Sequence, residues 1–187
     1  MCRYESILGS GEALFVQLLT VAVIAISIFF WLLAYRRVGV ELRRFTLPIA
    51  FWVVFGTLDI TITTRCTTID PLCEGNPLAR AVFLIYGVYG PPIASLLWIA
   101  LWAGLVLFLN WKKAWGAEVL SLALFYTLGA GHLFGFSSWF EPMCWIRKME
   151  DALPYFPFLI GGALAGLHFL LARALRNSRP QKNRKGL

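Results

Sequence analysis

Three ionisable side chains stand inside or beside long apolar stretches of this sequence. Asp59 and His132 each fall deep within a long apolar block, and Glu74 lies between those blocks. A charged side chain at the centre of a membrane span costs about 3 kcal/mol on insertion scales, so such residues usually face a bundle interior or a cavity. Two carboxylates and an imidazole can share acid and base work, and they can also bind a metal ion. These three are the candidate catalytic residues, and the metal or other cofactor is left unknown.

Thr63 and Asn76 are the candidate ligand-binding residues. Thr63 follows Asp59 by one helical turn, so the two side chains share a helix face. Asn76 precedes Pro77, which is typical of a helix N-cap, and Glu74 would favour the positive end of that helix. In one interpretation, Asn76 and Glu74 have only these local roles at the start of the helix. In the alternative, their segment folds back over Asp59 and forms part of a site.

Membrane spans must position these residues. Of the 187 residues, 59% are apolar and 14% are charged, whereas soluble chains average about 25% charged. An apolar helix of about 20 residues crosses the hydrocarbon core, and the sequence predicts an all-α helical bundle of five such spans. Little sequence is left for a soluble catalytic domain. The predicted spans are 13–35, 45–64, 92–109, 117–136 and 153–174, with a short half-helix at 78–86 before the third.

The basic residues predict the orientation of the bundle. Cytoplasmic loops of membrane proteins carry an excess of Lys and Arg, and the net charge of the chain is +7. With five spans, most basic residues gather on one side: Arg36, Arg37, Arg43, Arg44, Lys112, Lys113 and those from Arg173 to Lys185. The expected topology places the N-terminus outside and the C-terminus inside, in the cytoplasmic membrane. A single transmembrane domain, 1–175, precedes a basic tail, 176–187, expected to contact anionic lipid headgroups rather than nucleic acid.

All four cysteines fall on the outer side in this topology. They are Cys2, Cys66, Cys73 and Cys144. Disulfides persist in oxidising compartments, and four cysteines allow three pairings. A bridge from Cys66 to Cys73, with Cys2 joined to Cys144, is the favoured arrangement. A thiol–disulfide oxidoreductase similar to the bacterial disulfide-bond-forming membrane oxidases is the functional alternative, although the Cys-x-x-Cys pair of those enzymes is missing.

The last predicted span carries small residues and a second histidine. Gly161, Gly162 and Gly166 predict close packing against other helices of the same chain. His168 lies in the same span toward the cytoplasmic side, and we interpret it as a structural histidine.

The residues between 55 and 100 resemble part of a known family. Asp59-x-x-x-Thr63 followed by Glu74-x-Asn76-Pro77 is similar to the pattern in a family of small uncharacterised prokaryotic polytopic membrane proteins. The resemblance implies that these five residues belong to one helix–loop–helix unit. It implies no activity.

Three functions fit these observations. In the first, the polar residues form hydrogen bonds between helices, and the protein is a structural or accessory subunit that binds membrane protein partners. In the second, an outward-facing site formed by Asp59, His132 and Glu74 binds a metal or ligand and acts as a hydrolase or transferase on a lipid-linked or external substrate. The third is the thiol oxidoreductase. Whether the protein is an enzyme is left open by the sequence.

Overall fold

The structure, a computed structural model, describes residues 11–69, 74, 76–137 and 155–177, and all regular elements in these ranges are helical. The helices are α1 (Gly11–Val38), α2 (Leu42–Ile69), α3 (Pro77–Tyr86), α4 (Gly90–Trp111), α5 (Ala117–Ser137) and α6 (Phe156–Asn177), with a 3-10 turn at Gly87–Tyr89. Within the described ranges, five helical segments are long and apolar enough to cross a membrane. The predicted all-α, multi-pass membrane architecture is therefore confirmed at this level.

The fifth predicted span, 153–174, overlaps α6, which begins at Phe156, and residues 153–154 lie outside the described part of the chain. The other four predicted spans lie within α1, α2, α4 and α5, whose helical turns continue beyond the apolar block. The clearest case is α2, which begins at Leu42, ahead of the predicted start at 45, so Pro48 lies inside the helix. Pro48 is fully buried there.

Four of the long helices surround a common core. In the described part of the chain, α1 packs on α2 and α4, and α5 packs on α2 and α4. Trp52 of α2 and Phe125 of α5 meet at the centre, with ring centroids 5.6 Å apart. Tyr35 of α1 donates a hydrogen bond from its hydroxyl to the carbonyl of Ala103 in α4, at 3.0 Å. The core therefore fixes the relative positions of α2 and α5, which carry Asp59 and His132.

Helix α6 packs mainly on α5, outside this group of four. Gly161 makes the closest approach, because a Cβ at this position would lie 2.6 Å from the Cα of Thr127 in α5. Gly162 and Gly166 do not share this contact, since a Cβ on either would meet none of the described residues within 4 Å. Within the described part of the chain, the expectation of close packing is met at Gly161 and not at the other two.

The chain turns sharply between α3 and α4. A Cβ on Gly90 would lie 2.6 Å from the Cα of Phe83, although seven residues of one straight helix would extend about 10 Å. Gly87, which caps α3, has a φ of 55°, in the range that favours glycine. Helix α3 therefore folds back against the start of α4 instead of continuing its axis.

The two ends of the bundle differ in charge. We call the end that contains Asp59 and His132 the site end, and the end that contains Arg44 the basic end. At the basic end, Arg44 of α2 donates a hydrogen bond from Nη1 to Oε2 of Glu118 in α5, at 2.9 Å. Glu41 forms a second ion pair with the same guanidinium. Helices α2 and α5 are thus joined by polar contacts at both ends.

Candidate functional site

Asp59 and His132 meet directly at the site end. The distance from His132 Nδ1 to Asp59 Oδ2 is 2.9 Å, and the side chains are 15% and 17% exposed. The two residues are 73 positions apart in the sequence. A carboxylate that accepts a hydrogen bond from Nδ1–H fixes the tautomer of the imidazole and leaves Nε2 as its basic nitrogen. The pair is thus arranged as an oriented base.

Glycines on the opposite helix make room for both side chains. Gly56 of α2 faces the His132 ring, because a Cβ there would lie 3.4 Å from its Cδ2. Gly135 of α5 faces the Asp59 carboxylate, and a Cβ there would lie 2.8 Å from both oxygens. His132 of α5 therefore packs against Gly56, one turn before Asp59 in α2, and Asp59 packs against Gly135, one turn after His132 in α5. These two contacts hold α2 and α5 close together.

Glu74 lies near this pair and is held by its own loop. Its Oε1 accepts a hydrogen bond from the backbone N–H of Asn76 at 2.7 Å. Its main-chain carbonyl accepts two hydrogen bonds from the Arg80 guanidinium, from Nε at 2.8 Å and from Nη2 at 2.5 Å. Asp59 and His132 both act electrostatically on the half-buried Glu74 carboxyl. The structure thus brings the three candidate catalytic residues to one end of the bundle.

The protonation of Glu74 is shifted by this environment. Burial raises the pKa of the Glu74 carboxyl above its usual value, and the charge of Asp59 acts in the same direction. The Asn76 N–H, Arg80 and His132 oppose this shift without reversing it. Glu74 therefore holds its proton to a higher pH than an ordinary glutamate, as a general acid requires.

We expect Glu74→Gln to raise the melting temperature near pH 7.5, because burial raises the pKa of the Glu74 carboxyl. A carboxyl whose pKa is raised by folding loses its stabilising contribution as pH rises through the folded-state value. Glutamine resembles the neutral carboxyl, so the Glu74→Gln protein does not lose this stabilising contribution as the pH rises. The difference between variant and wild type should shrink toward zero as the pH falls below about 4.3, the ordinary value for glutamate. Thermal unfolding in one detergent across this pH range measures it.

Glu41→Gln is the matched control, because Glu41 lies at the basic end and pairs with Arg44. It should not raise the melting temperature at pH 7.5. A Glu74→Gln protein that is less stable than wild type at every pH would show that the carboxylate, and not the neutral acid, stabilises the fold.

The candidate ligand-binding residues have different outcomes. Asn76 is the N-cap of α3, since its Oδ1 accepts hydrogen bonds from the N–H groups of Leu78 and Ala79 at 3.0 and 3.4 Å. The predicted local role of Asn76 is therefore confirmed, and its side-chain oxygen is occupied. Thr63 is half-buried on α2, one turn beyond Asp59. Its ligand-binding role stays a prediction.

The cysteine predictions lie outside the described residues. Cys2, Cys73 and Cys144 are not described, and only the backbone of Cys66 is, within α2. The disulfide pairings and the thiol oxidoreductase function stay predictions.

Other possible sites are limited in the part of the chain that the structure describes. There, no group of three or more His, Cys, Asp and Glu side chains could hold a metal ion. An open groove of about 480 Å³ lies at the basic end, lined by Asn110, Lys113, Glu118, Phe169 and neighbours. This groove contains none of the candidate residues.

His168 belongs to a separate contact. Its Nδ1 and the hydroxyl of Tyr126 in α5 are hydrogen-bonded at 2.9 Å. This bond joins α6 to α5 away from the Asp59–His132 pair, which agrees with the structural interpretation of His168.

Sequence reasoning missed Arg80, which holds the main chain of Glu74. One signal was available, since Arg80 lies near the start of α3, where the helix dipole disfavours a positive charge.

Comparison of the chain with protein-family models, with curated proteins and with solved structures gave no match. The resemblance described above thus depends on its motif alone.

Proposed function

We propose that this multi-pass protein of the cytoplasmic membrane has an acid–base site at its outer surface, which binds a ligand and transfers protons to and from it. The observation that carries the proposal is the 2.9 Å contact of His132 with Asp59, with Glu74 nearby. Ionisable residues that meet inside a membrane protein mark functional sites by default, because burying them is expensive.

The chemistry follows from the protonation states of the three residues. Asp59 orients the imidazole, and Nε2 of His132 takes a proton from a water or hydroxyl that attacks the ligand. Glu74, whose pKa is raised by burial, delivers a proton to the leaving group when it is in its acid form. Hydrolysis or group transfer on a lipid-linked or external substrate needs this division between base and acid.

The proposed topology places the site end outside the cell. The basic end would then lie in the cytoplasm, with the tail at 176–187 beside anionic lipid headgroups. In this arrangement α3 is a half-helix that returns to the outer surface without crossing the membrane. The sharp turn at Gly90 supports this interpretation.

A structural or accessory subunit is the second candidate function. The close contacts of Gly56 with His132 and of Gly135 with Asp59 favour it, because they suit an interhelical clamp. In that case the pair would serve only to hold α2 against α5, and exposed helix faces would contact other membrane proteins.

Chemical modification of His132 separates the two functions. The chain has two histidines, so His168→Gln leaves His132 as the only imidazole. Diethyl pyrocarbonate acylates an unprotonated imidazole nitrogen that it can reach. We expect the folded protein, reconstituted in liposomes, to take up one equivalent of reagent at neutral pH, measured by mass spectrometry.

The control is the doubly substituted protein with His168→Gln and His132→Gln, which should take up no equivalent at histidine. A His132 that reacts only after the protein is unfolded would identify the pair as an interhelical clamp and contradict the acid–base site. A melting temperature for each variant shows that the folded state was tested.

A further inference from the structure

Arg80 is the one cation that contacts the Glu74 loop among the residues described. It lies in the first part of α3 and is half-buried. Its Nε and Nη2 both donate to the main-chain carbonyl of Glu74. The adjacent Glu74 carboxyl accepts its hydrogen bond from Asn76 instead. The plane of the guanidinium is therefore fixed by backbone, and the carboxyl stays available to the site.

The charge of Arg80 is not balanced by an ion pair within the described part of the chain. Arg44, at the other end of the bundle, pairs with both Glu41 and Glu118. A guanidinium has five N–H donors in a planar fork, and the Glu74 carbonyl occupies the Nε and Nη2 side of it. The two hydrogen bonds described leave the Nη1 side unused by the Glu74 carbonyl. A half-buried arginine whose guanidinium is held by backbone in this way is a binding group for a planar or tetrahedral anion.

The position of Arg80 favours a phosphate as that anion. The site end lies at the ends of membrane spans, where the polar headgroups of the bilayer begin. Phosphate esters are the anions of that layer, and arginine binds phosphate oxygens through two parallel hydrogen bonds.

We infer that Arg80 binds the phosphate group of a ligand whose reacting part lies beside Asp59, His132 and Glu74. This inference rests on the proposed function, because it names the class of substrate for the same site. Two sources share this chemistry, namely a phosphate on a lipid and a soluble phosphate. Arg80 is then a binding residue, and the Glu74 carbonyl orients it.

The test uses purified protein in dodecyl maltoside, a detergent without phosphate. The probes are dihexanoyl phosphatidic acid, inorganic phosphate and, as the uncharged comparison, dihexanoyl glycerol. Calorimetric titration should show binding of a phosphate probe to wild type and none of dihexanoyl glycerol. Arg80→Gln should weaken that binding at least about tenfold, since hydrogen bonds between charged groups are the strong class.

Two further variants make the result specific. Arg43→Gln removes one positive charge from an exposed position at the basic end and should leave binding unchanged. Arg80→Lys keeps the charge but loses the planar fork, so an intermediate loss is expected. If Arg80→Gln does not fold, Arg80→Lys and the wild-type titrations still decide the question.

Binding of phosphatidic acid alone supports a lipid-linked substrate, and equal binding of inorganic phosphate supports a soluble one. Wild type that binds neither probe, or Arg80→Gln that binds as well as wild type, overturns the inference. Failure of the proposed function looks different: phosphate binding would still depend on Arg80, but His132 would not react with diethyl pyrocarbonate in the folded protein.

Discussion

Replacing Gly161 with alanine should destabilise the protein by about 1–3 kcal/mol, the usual cost of overpacking a close contact. A Cβ at Gly161 would lie 2.5 Å from the backbone nitrogen and 2.6 Å from the Cα of Thr127. Because these are backbone atoms, no side-chain rotation relieves the clash, and α6 must move away from α5. For a chain of this length, the melting temperature should fall by roughly 2–12 °C.

Gly162→Ala is the control for this prediction, since it makes the same substitution one residue further along α6. A Cβ at Gly162 would meet nothing within 4 Å, and alanine has the higher helix propensity by about 1 kcal/mol. This variant should be as stable as wild type or slightly more stable. Equal losses in the two variants would show that α6 is rotated about its axis relative to the arrangement described above.

Asp59 and His132 should behave as one unit in a double-mutant cycle. Removing either partner leaves the other buried and unpaired, which costs about 1–3 kcal/mol. Polar contacts in membranes average about 0.6 kcal/mol in measured cycles, because the unfolded helices find other partners. The expected result is that the double variant, Asp59→Asn with His132→Gln, is no less stable than the less stable of the two single variants. Thermal unfolding of the four proteins in one detergent measures the coupling.

Tyr126→Phe provides the comparison, because Tyr126 bonds His168 and not His132. Its loss of stability should add to that of His132→Gln, as expected for groups with no shared partner. Strict additivity for Asp59 and His132 as well would place these two residues in separate environments. His132 would then lack the carboxylate that orients it as a base.

The sequence predicted the helices because long apolar blocks are an unambiguous signal for membrane spans. It also predicted that Asp59 and His132 both lie within spans, since position within a span follows from counting residues. Their contact did not follow, because it depends on how α2 and α5 are rotated about their axes. Gly56 and Gly135 settle that rotation by packing against the partner side chains, and a single sequence does not show which glycines meet which neighbours.

The same difficulty explains the glycines of α6 and the missed arginine. Gly161 and Gly162 differ by about 100° around the helix axis, so one meets α5 and the other does not. Arg80 bonds a main-chain carbonyl, and side-chain patterns carry no information about such a partner.

The separation of 73 residues between Asp59 and His132 has a consequence for biosynthesis. Ribosomes add about 5–20 residues per second, so Asp59 is made roughly 4–15 s before its partner exists. During that interval α2 carries an acidic group with no imidazole to receive its hydrogen bond, and lipid does not solvate it. The hydrogen bond that joins α2 to α5 at this end of the bundle can therefore form only after α5 has been synthesised.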